Sequence, residues 1–422
     1  MTSTGAGACP RCGETTVSTG EAMPWCAACE WNLDGYDRAR QAPEFGWAWI
    51  DRRTHRLAAR LTRQQYASLV DRALESPGLG PAGVATAAAS LLLVAGVLAL
   101  AVIGVWLLFA YPFPNIALVF GVAMIALAVA LRPRFGRVDP ELEVLSKDAA
   151  PELHALVEEV AAAVGAPMPH VIGVDGSLNA YATQVGLRRR RVLALGLPLW
   201  GALDGQQRVA LLGHELGHFV NGDVRRLVVT QPALTMLGNA ADLFRPVDSN
   251  RSGGLLEMIG DALGRMLSWI LSRLLFGGHL LLVVTALRDS QRAEYLADEM
   301  AARVAGTDGA TRLLDVLLQS ESVSQTVRQA ARNAQGPAAW RAGVARSSTS
   351  AAHVLPLLRQ LTLREQASLF ASHPPHGLRH RMLTARTWQD SRVTVTETRN
   401  DRIDTELALH YERVSRAIAW SG

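Results

Sequence analysis

From Ser76 to Leu131 the chain carries no charged residue and no histidine, an unbroken run of 56 residues. A soluble helix pair of this length shows a polar face; one that is apolar all round belongs in lipid. Ala82–Ala110 reads as one helix of 29 residues. At ~1.5 Å per residue it exceeds the ~30 Å hydrocarbon core, so it tilts or runs into the interface. Tyr111-Pro112-Phe113-Pro114-Asn115 is a turn with interfacial aromatic character. Ile116–Leu131 forms a shorter return helix. Arg52, Arg53, Arg56, Arg60 and Arg63 precede the hairpin, Arg132, Arg134 and Arg137 follow it, and the turn is uncharged. The positive-inside rule then puts both ends in the cytoplasm. The first thirty residues lack an apolar stretch, so no cleavable signal peptide is expected. The expected location is the cell (inner or plasma) membrane, multi-pass, with lipid as a partner and both termini cytoplasmic.

Composition agrees. Hydrophobic residues make up 49% and charged residues 19%, which excludes a disordered chain. The net charge is only +4. No glycine-rich phosphate loop and no basic patch interleaved with aromatics occurs, so nucleic acid is not an expected partner.

The four cysteines form two pairs, Cys9/Cys12 and Cys26/Cys29, separated by 13 residues. Two turns that each present two thiolates can close a tetrahedral S4 shell around zinc. The competing reading, redox dithiols or disulfides, lacks a surrounding βαβ pattern, and a cytoplasmic face is reducing. A small zinc ribbon is expected, structural or partner-binding, its partner unknown.

Beyond the hairpin, Pro151–Val164 reads as an amphipathic helix closed by Gly165. His170–Val174 and Arg191–Leu195 read as strands. Asp204 and Gln207 make a capping box for a helix that runs through Gly213-His214-Glu215-Leu216-Gly217-His218. His214 and His218, four apart, project from one helical face, and that spacing suits a shared zinc at ~2.0–2.1 Å. Glu215 lies about 100° around the helix from His214, so it can reach a metal-bound water without being a ligand. Such a water has a pKa lowered toward ~7, and Glu215 is placed to take its proton and pass it to the leaving amine. A catalytic zinc wants a third protein ligand. Glu294 and Asp298, again four apart, supply one: Glu294 as ligand, with Asp298 accepting a hydrogen bond from a ligand imidazole.

These motifs, together with Asn221-Gly222-Asp223, resemble the HtpX-like membrane zinc metallopeptidases, relatives of the CAAX prenyl proteases. The resemblance covers roughly residues 140–390 and the preceding hairpin. It implies a mainly α fold with a small β-sheet, a gluzincin-type protease domain behind a transmembrane helical hairpin and an N-terminal zinc ribbon. It implies that Asn179-Ala180-Tyr181-Ala182 is an edge strand that binds substrate backbone by β-addition, through Asn179, Ala180 and Tyr181. It also implies that His373 or Arg379 orients the site or stabilises the oxyanion. The implied function is a zinc endopeptidase acting on polypeptide at the cytoplasmic face, in the quality control of misfolded membrane proteins. The alternative is a non-enzymatic, zinc-stabilised membrane adaptor with a protease-derived domain. Two zinc ions are expected, one catalytic and one in the ribbon. A prenyl-protein protease would need a large intramembrane chamber, for which two clear spans are too few.

The expected division is a ribbon at 1–35, a linker with an amphipathic helix at 36–81, the hairpin at 82–131, the peptidase domain at 138–390 and a C-terminal strand and helix at 391–422. A shared zinc requires an even number of membrane crossings between His218 and Glu294. Leu227–Ala241 is short and Met266–Leu287 holds Arg273 and His279, so both stretches are expected at the interface rather than across it. Asp308–Ser322 reads as a helix, 321–350 as a flexible insertion near the site, Arg392–Thr396 as a short strand and Ile403–Trp420 as an amphipathic helix.

Overall fold

The structure, a computed structural model, describes residues 8–13, 26, 29, 31, 48–74, 81–132, 136–186, 188–220, 236–238, 240, 243, 255–368 and 371–420. After α1 (Ala48–Leu69), the uncharged run folds as α2 (Pro81–Phe109) and α3 (Ile116–Ala130). The two pack side by side, and Asn115 turns the corner. Its Oδ1 accepts from the Leu118 amide at 2.9 Å, while its Nδ2 donates to the Tyr111 and Pro112 carbonyls. Leu91, Leu92, Val102, Phe109 and Phe120 point outward, as expected of a surface that faces hydrocarbon.

The part beyond the hairpin starts with β1 (Glu143–Val144), α4 (Pro151–Val164), β2 (Val171–Asp175), β3 (Ala180–Val185) and β4 (Arg190–Gly196). The sheet order is β1-β2-β4-β3, with β2 and β4 parallel and the other pairs antiparallel. Then come α5 (Leu197–Ala202), α6 (Gly205–Val220) and the long α7 (Leu255–Leu318), followed by α8 (Ser320–Arg332), α9 (Pro337–Ala351), α10 (Leu355–Glu365), α11 (His376–Thr384), α12 (Glu397–Glu406) and α13 (Ala408–Trp420). The main core lies on one face of the sheet. Leu153, Leu156 and Val160 of α4 meet Leu193 and Leu195 of β4, Leu212 and Leu216 of α6, and Val304 of α7.

Local signals held where they were strong. α4 ends at Gly165 in the left-handed conformation (φ 71°). The capping box forms in both directions, with the Gln207 amide donating to Asp204 Oδ1 at 2.8 Å and the Asp204 amide to Gln207 Oε1 at 2.9 Å.

Elsewhere the fold departs from expectation. The stretch 321–350 is no loose insertion: α8 and α9 bury Val323, Val327, Trp340 and Val344 in the main core. Its apolar residues are few but fall four apart, which suffices when neighbours enclose them. Residues 392–396 form no strand; the Arg392 and Val393 amides donate to the Val304 carbonyl instead. The helix expected over Ile403–Trp420 is two helices, broken at Leu407. One expectation agrees: Gly306, at φ 79° and ψ 157°, breaks α7, and the helix expected from Asp308 begins just past that break.

Between the two metal motifs the chain is helical, apolar and exposed. Asp261–Val284 is an unbroken part of α7, 24 residues with mean hydropathy 1.7 and none of its apolar window buried, and with Thr86–Phe109 it is long and apolar enough to cross a membrane. Most of Leu227–Ala241 lies outside the described residues, but Met236 packs on Val97 and Ala128 of the hairpin. The interfacial expectation rests on the shortness of Leu227–Ala241 and on Arg273 and His279 in the second stretch. The Arg273 guanidinium stacks on the Trp269 ring at 5.7 Å, a contact to the helix's own previous turn.

Two long-range ties fix the active-site helix. Arg208 on α6 is fully buried over Trp200, and donates to the Trp200 carbonyl, to Asn400 and to Asp404. The C-terminal helices are thereby bonded to the helix that carries His214. Tyr66, Leu69 and Leu74, from α1 and its following turn, pack on Tyr295, Leu296, Leu378 and Met382, behind Glu294 and Arg379.

Candidate active site

Helix α6 brings His214 and His218 to one face, with ring centroids 4.9 Å apart and planes at 89°. The third donor comes from α7, which lies unusually close. A Cβ on Gly213 would stand 2.4 Å from Val304 Cγ2, and one on Gly217 would stand 3.2 Å from the Ala297 Cα. The glycines that alternate with the histidines are thus what lets α7 approach. Sequence reasoning passed over them, although their spacing of four on the histidine helix was a legible sign of helix contact.

The close approach sets Glu294 Oε2 3.5 Å from His214 Nε2 and Glu294 Oε1 3.6 Å from His218 Nε2. Tetrahedral ligands at ~2.0–2.1 Å from a zinc stand about 3.4 Å apart. Two imidazole nitrogens and a carboxylate are a recognised catalytic zinc set that leaves one position open. Glu294 Oε2 is buried and faces His214 Nε2 and His373 Nδ1.

Behind the donors stands a buried ion pair. His214 Nδ1 lies 3.1 Å from Asp298 Oδ1. Arg379 of α11 grips Asp298 with two bonds, Nε to Oδ2 at 2.8 Å and Nη2 to Oδ1 at 2.6 Å. Burial alone would raise Asp298, but Arg379 outweighs it and holds the carboxyl down to about 2. Burial would lower His214, yet Asp298 and Glu294 raise it to about 10; the pocket favours positive charge where the imidazole nitrogens converge. Glu294 is likewise held well below the usual range, since its histidine neighbours outweigh its burial. Glu215 shifts the other way: burial pushes its carboxyl up, partly offset by His214 and His218. A raised carboxyl is what a proton-shuttling group needs near neutral pH.

His373 and Arg379 occupy different ground. Arg379 is buried behind Asp298, whereas His373 is 56% exposed, its Nδ1 2.7 Å from Glu294 Oε2. The loop that carries His373 is pinned to α7, where Ser290 Oγ donates to the Ser372 carbonyl and Gln291 Nε2 to the Ala371 carbonyl. His376 is turned away, and burial with Arg379 nearby lowers its ring to about 4.

Strand β3 is the sheet edge on the α6 side. The Gly196 amide donates to the Asn179 carbonyl at 2.8 Å, which turns that carbonyl inward toward β4. Alternation along the strand then turns the backbone groups of Ala180 and Ala182 outward and those of Tyr181 inward. Of the three expected substrate contacts, Ala180 offers its backbone at the open edge, and Asn179 keeps an exposed side chain.

Far along the chain, the cysteine sulfurs converge. Cys9 Sγ and Cys29 Sγ are 3.6 Å apart, and Cys12 Sγ and Cys26 Sγ 3.5 Å. All four cysteines are free of disulfides and their sulfurs lie within 4.8 Å of one another. Sulfurs sharing a zinc at ~2.3 Å stand about 3.8 Å apart. Burial would raise Cys9, but the Arg11 and Cys12 amides pull its thiol down to about 7. Asn221-Gly222-Asp223 lies outside the described residues.

The comparisons agree with this geometry. Residues 147–387 match the profile of Peptidase family M48. The chain is 29% identical over 243 residues to the Protease HtpX homolog of Syntrophobacter fumaroxidans, covering 57% of this chain and 77% of that one. With the Protease HtpX homolog of Listeria monocytogenes it shares 29% over 242 residues, 55% of this chain and 73% of the relative. With that of Chlorobium phaeobacteroides strain BS1 it shares 30% over 152 residues, 36% of this chain and 49% of the relative. No solved structure matches the chain. The family profile spans well over half of the chain and takes in α6, Glu294 and Arg379 alike, so the chain belongs to peptidase family M48 and is a metallopeptidase.

Proposed function

We propose that the protein is a zinc endopeptidase that cleaves polypeptide at the cytoplasmic face of a membrane. The observation that carries this reading is the convergence of His214, His218 and Glu294 beside a buried Glu215. His214, His218 and Glu294 would hold a zinc ion there, which would supply an acidified water and polarise the scissile carbonyl. Glu215 holds the proton of that water and delivers it to the leaving amine. His373, exposed beside Glu294, faces the side from which substrate enters and stabilises the developing oxyanion. Arg379 is a positioning residue that fixes Asp298, which in turn orients His214. Ala180 and its neighbours pair with the substrate backbone. The adaptor alternative is disfavoured because Glu215 is retained beside all three ligands. Stripping the purified protein with a chelator should abolish cleavage of an unfolded membrane protein, and adding zinc should restore it. Cleavage that persists in the stripped protein would exclude the reading.

Position supports the substrate class in this reading. Glu294 lies ten residues beyond Val284, the end of the apolar part of α7, hence ~15 Å further along one helix. A site so close to the bilayer suits misfolded membrane proteins. In this reading the chain crosses four times: α2, α3, a segment around Met236, and Asp261–Val284. The even count keeps His218 and Glu294 on one side. In a variant with its native cysteines replaced, a cysteine at position 252 should label with an impermeant maleimide only from outside, and one at 290 only from inside. Inside labelling at 252 would remove both inner crossings; an inside 252 with an outside 290 would break the shared site.

The cysteines hold a second, structural zinc. Full-length protein should carry two zinc ions per chain by elemental analysis, and a chain lacking residues 1–35 should carry one. A full-length stoichiometry of one, with all four thiols reactive, refutes the ribbon site.

A further inference from the structure

Strand β3 has two faces, and only one serves the catalytic helix. Ala180 belongs to the core shared with α6. Tyr181 and Val185 belong instead to the smaller cluster on the opposite face, with Leu142, Val171 and Val192. On that opposite face a cavity of about 450 Å³ opens between β3 and the connection that follows the hairpin. Its strand wall is Tyr181, Thr183 and Val185, three alternate residues of β3, with Val192 of β4 beside them. The other wall is 137–140, anchored to the end of β3 where the Gly186 amide donates to the Gly136 carbonyl at 2.9 Å. The volume is in the range of binding pockets.

We propose that this cavity is a specificity subsite that takes a large apolar side chain of the substrate. The inference rests on the reading of β3 as the strand to which substrate adds. A polypeptide paired with the outward backbone groups of Ala180 and Ala182 places its residues opposite Tyr181 and Thr183 on the face of those side chains. That face is the cavity. Every second substrate residue therefore points away from the catalytic helix and into a pocket of its own. Val138, Pro140, Val185 and Val192 make the interior apolar. Arg137 and Asp139 also line it, one charge of each sign. The connection also continues directly from the return helix of the hairpin.

Cleavage-site profiling of full-length protein on a library of unfolded polypeptides, read by mass spectrometry against a Glu215→Ala control, tests this. Wild type should prefer large apolar residues at one position on the non-catalytic face. Thr183→Trp, which fills the cavity, should lower kcat/KM for those substrates by about 10–200-fold, the usual range for pocket discrimination. It should retain cleavage where the position holds Gly or Ala. Val185→Ala, which enlarges the cavity, should shift the preference toward Trp and Phe. Wild-type profiles in both variants overturn the subsite while leaving the protease reading intact. So does loss of all cleavage in Thr183→Trp with an unchanged Val185→Ala profile. Absence of Glu215-dependent cleavage in the wild type overturns the protease reading itself and the subsite with it.

Discussion

Glu215→Ala should keep the zinc of the protease site and lose hydrolysis. Glu215 neighbours His214 on α6 but is not among the three converging donors, so its removal leaves the ligand set whole. What disappears is the group that moves the proton from water to the leaving amine. A positioned acid–base group is typically worth about 10²–10⁴-fold in rate. Glu215→Gln should behave alike, since the amide keeps the shape and loses the proton chemistry. His214→Ala and Glu294→Ala should lose metal and activity together. The discriminating measurement pairs elemental zinc with steady-state cleavage in the same preparations. A Glu215→Ala protein that cleaves at the wild-type rate would refute the assignment of the base. Chelator-sensitive cleavage surviving Glu294→Ala would remove Glu294 as the third ligand.

What the sequence made legible was local and periodic. The spacing of His214 and His218, the spacing of Glu294 and Asp298, the capping box of Asp204 and Gln207, and the Gly165 stop on α4 all depend on residues within one or two helical turns. The uncharged run was legible because no soluble surface tolerates it. What was hidden depends on contacts across the chain. Nothing near Arg208 announces that Asn400 will accept its hydrogen bond and Asp404 neutralise it, almost two hundred residues away. Helices α8 and α9 looked loose because their apolar residues are sparse, and they become core only once α5 and α13 enclose them. The cost of Arg273 within the apolar stretch of α7 depends on where its guanidinium can go, which spacing does not reveal. The choice between His373 and Arg379 could not be made from spacing either. It turns on which side chain lies behind Asp298 and which faces outward, and only the packing of α11 against α7 decides that.

That packing makes Arg379 the position where loss should cost both structure and function. Its side chain is buried, and its guanidinium satisfies both oxygens of Asp298. Removing it strands a buried carboxylate, which typically costs about 3–5 kcal/mol. Asp298 then loses the partner that fixes its approach to His214 Nδ1. Disturbing a group that orients a metal ligand usually costs about 10–100-fold in metal affinity or activity. Arg379→Ala should therefore unfold at lower denaturant and bind zinc more weakly, with kcat falling more than KM changes. Pairing it with Asp298→Asn separates the two effects. The amide carries no charge to strand, so the double variant should recover much of the stability lost in Arg379→Ala. It should not recover zinc affinity, because the carboxylate that orients His214 is gone. Were Arg379→Ala to keep wild-type zinc affinity and lose only kcat, the guanidinium would act on substrate directly, and the positioning role would pass to another residue. If instead the double variant were no more stable than the single, the stranded charge on Asp298 would not be the source of the instability.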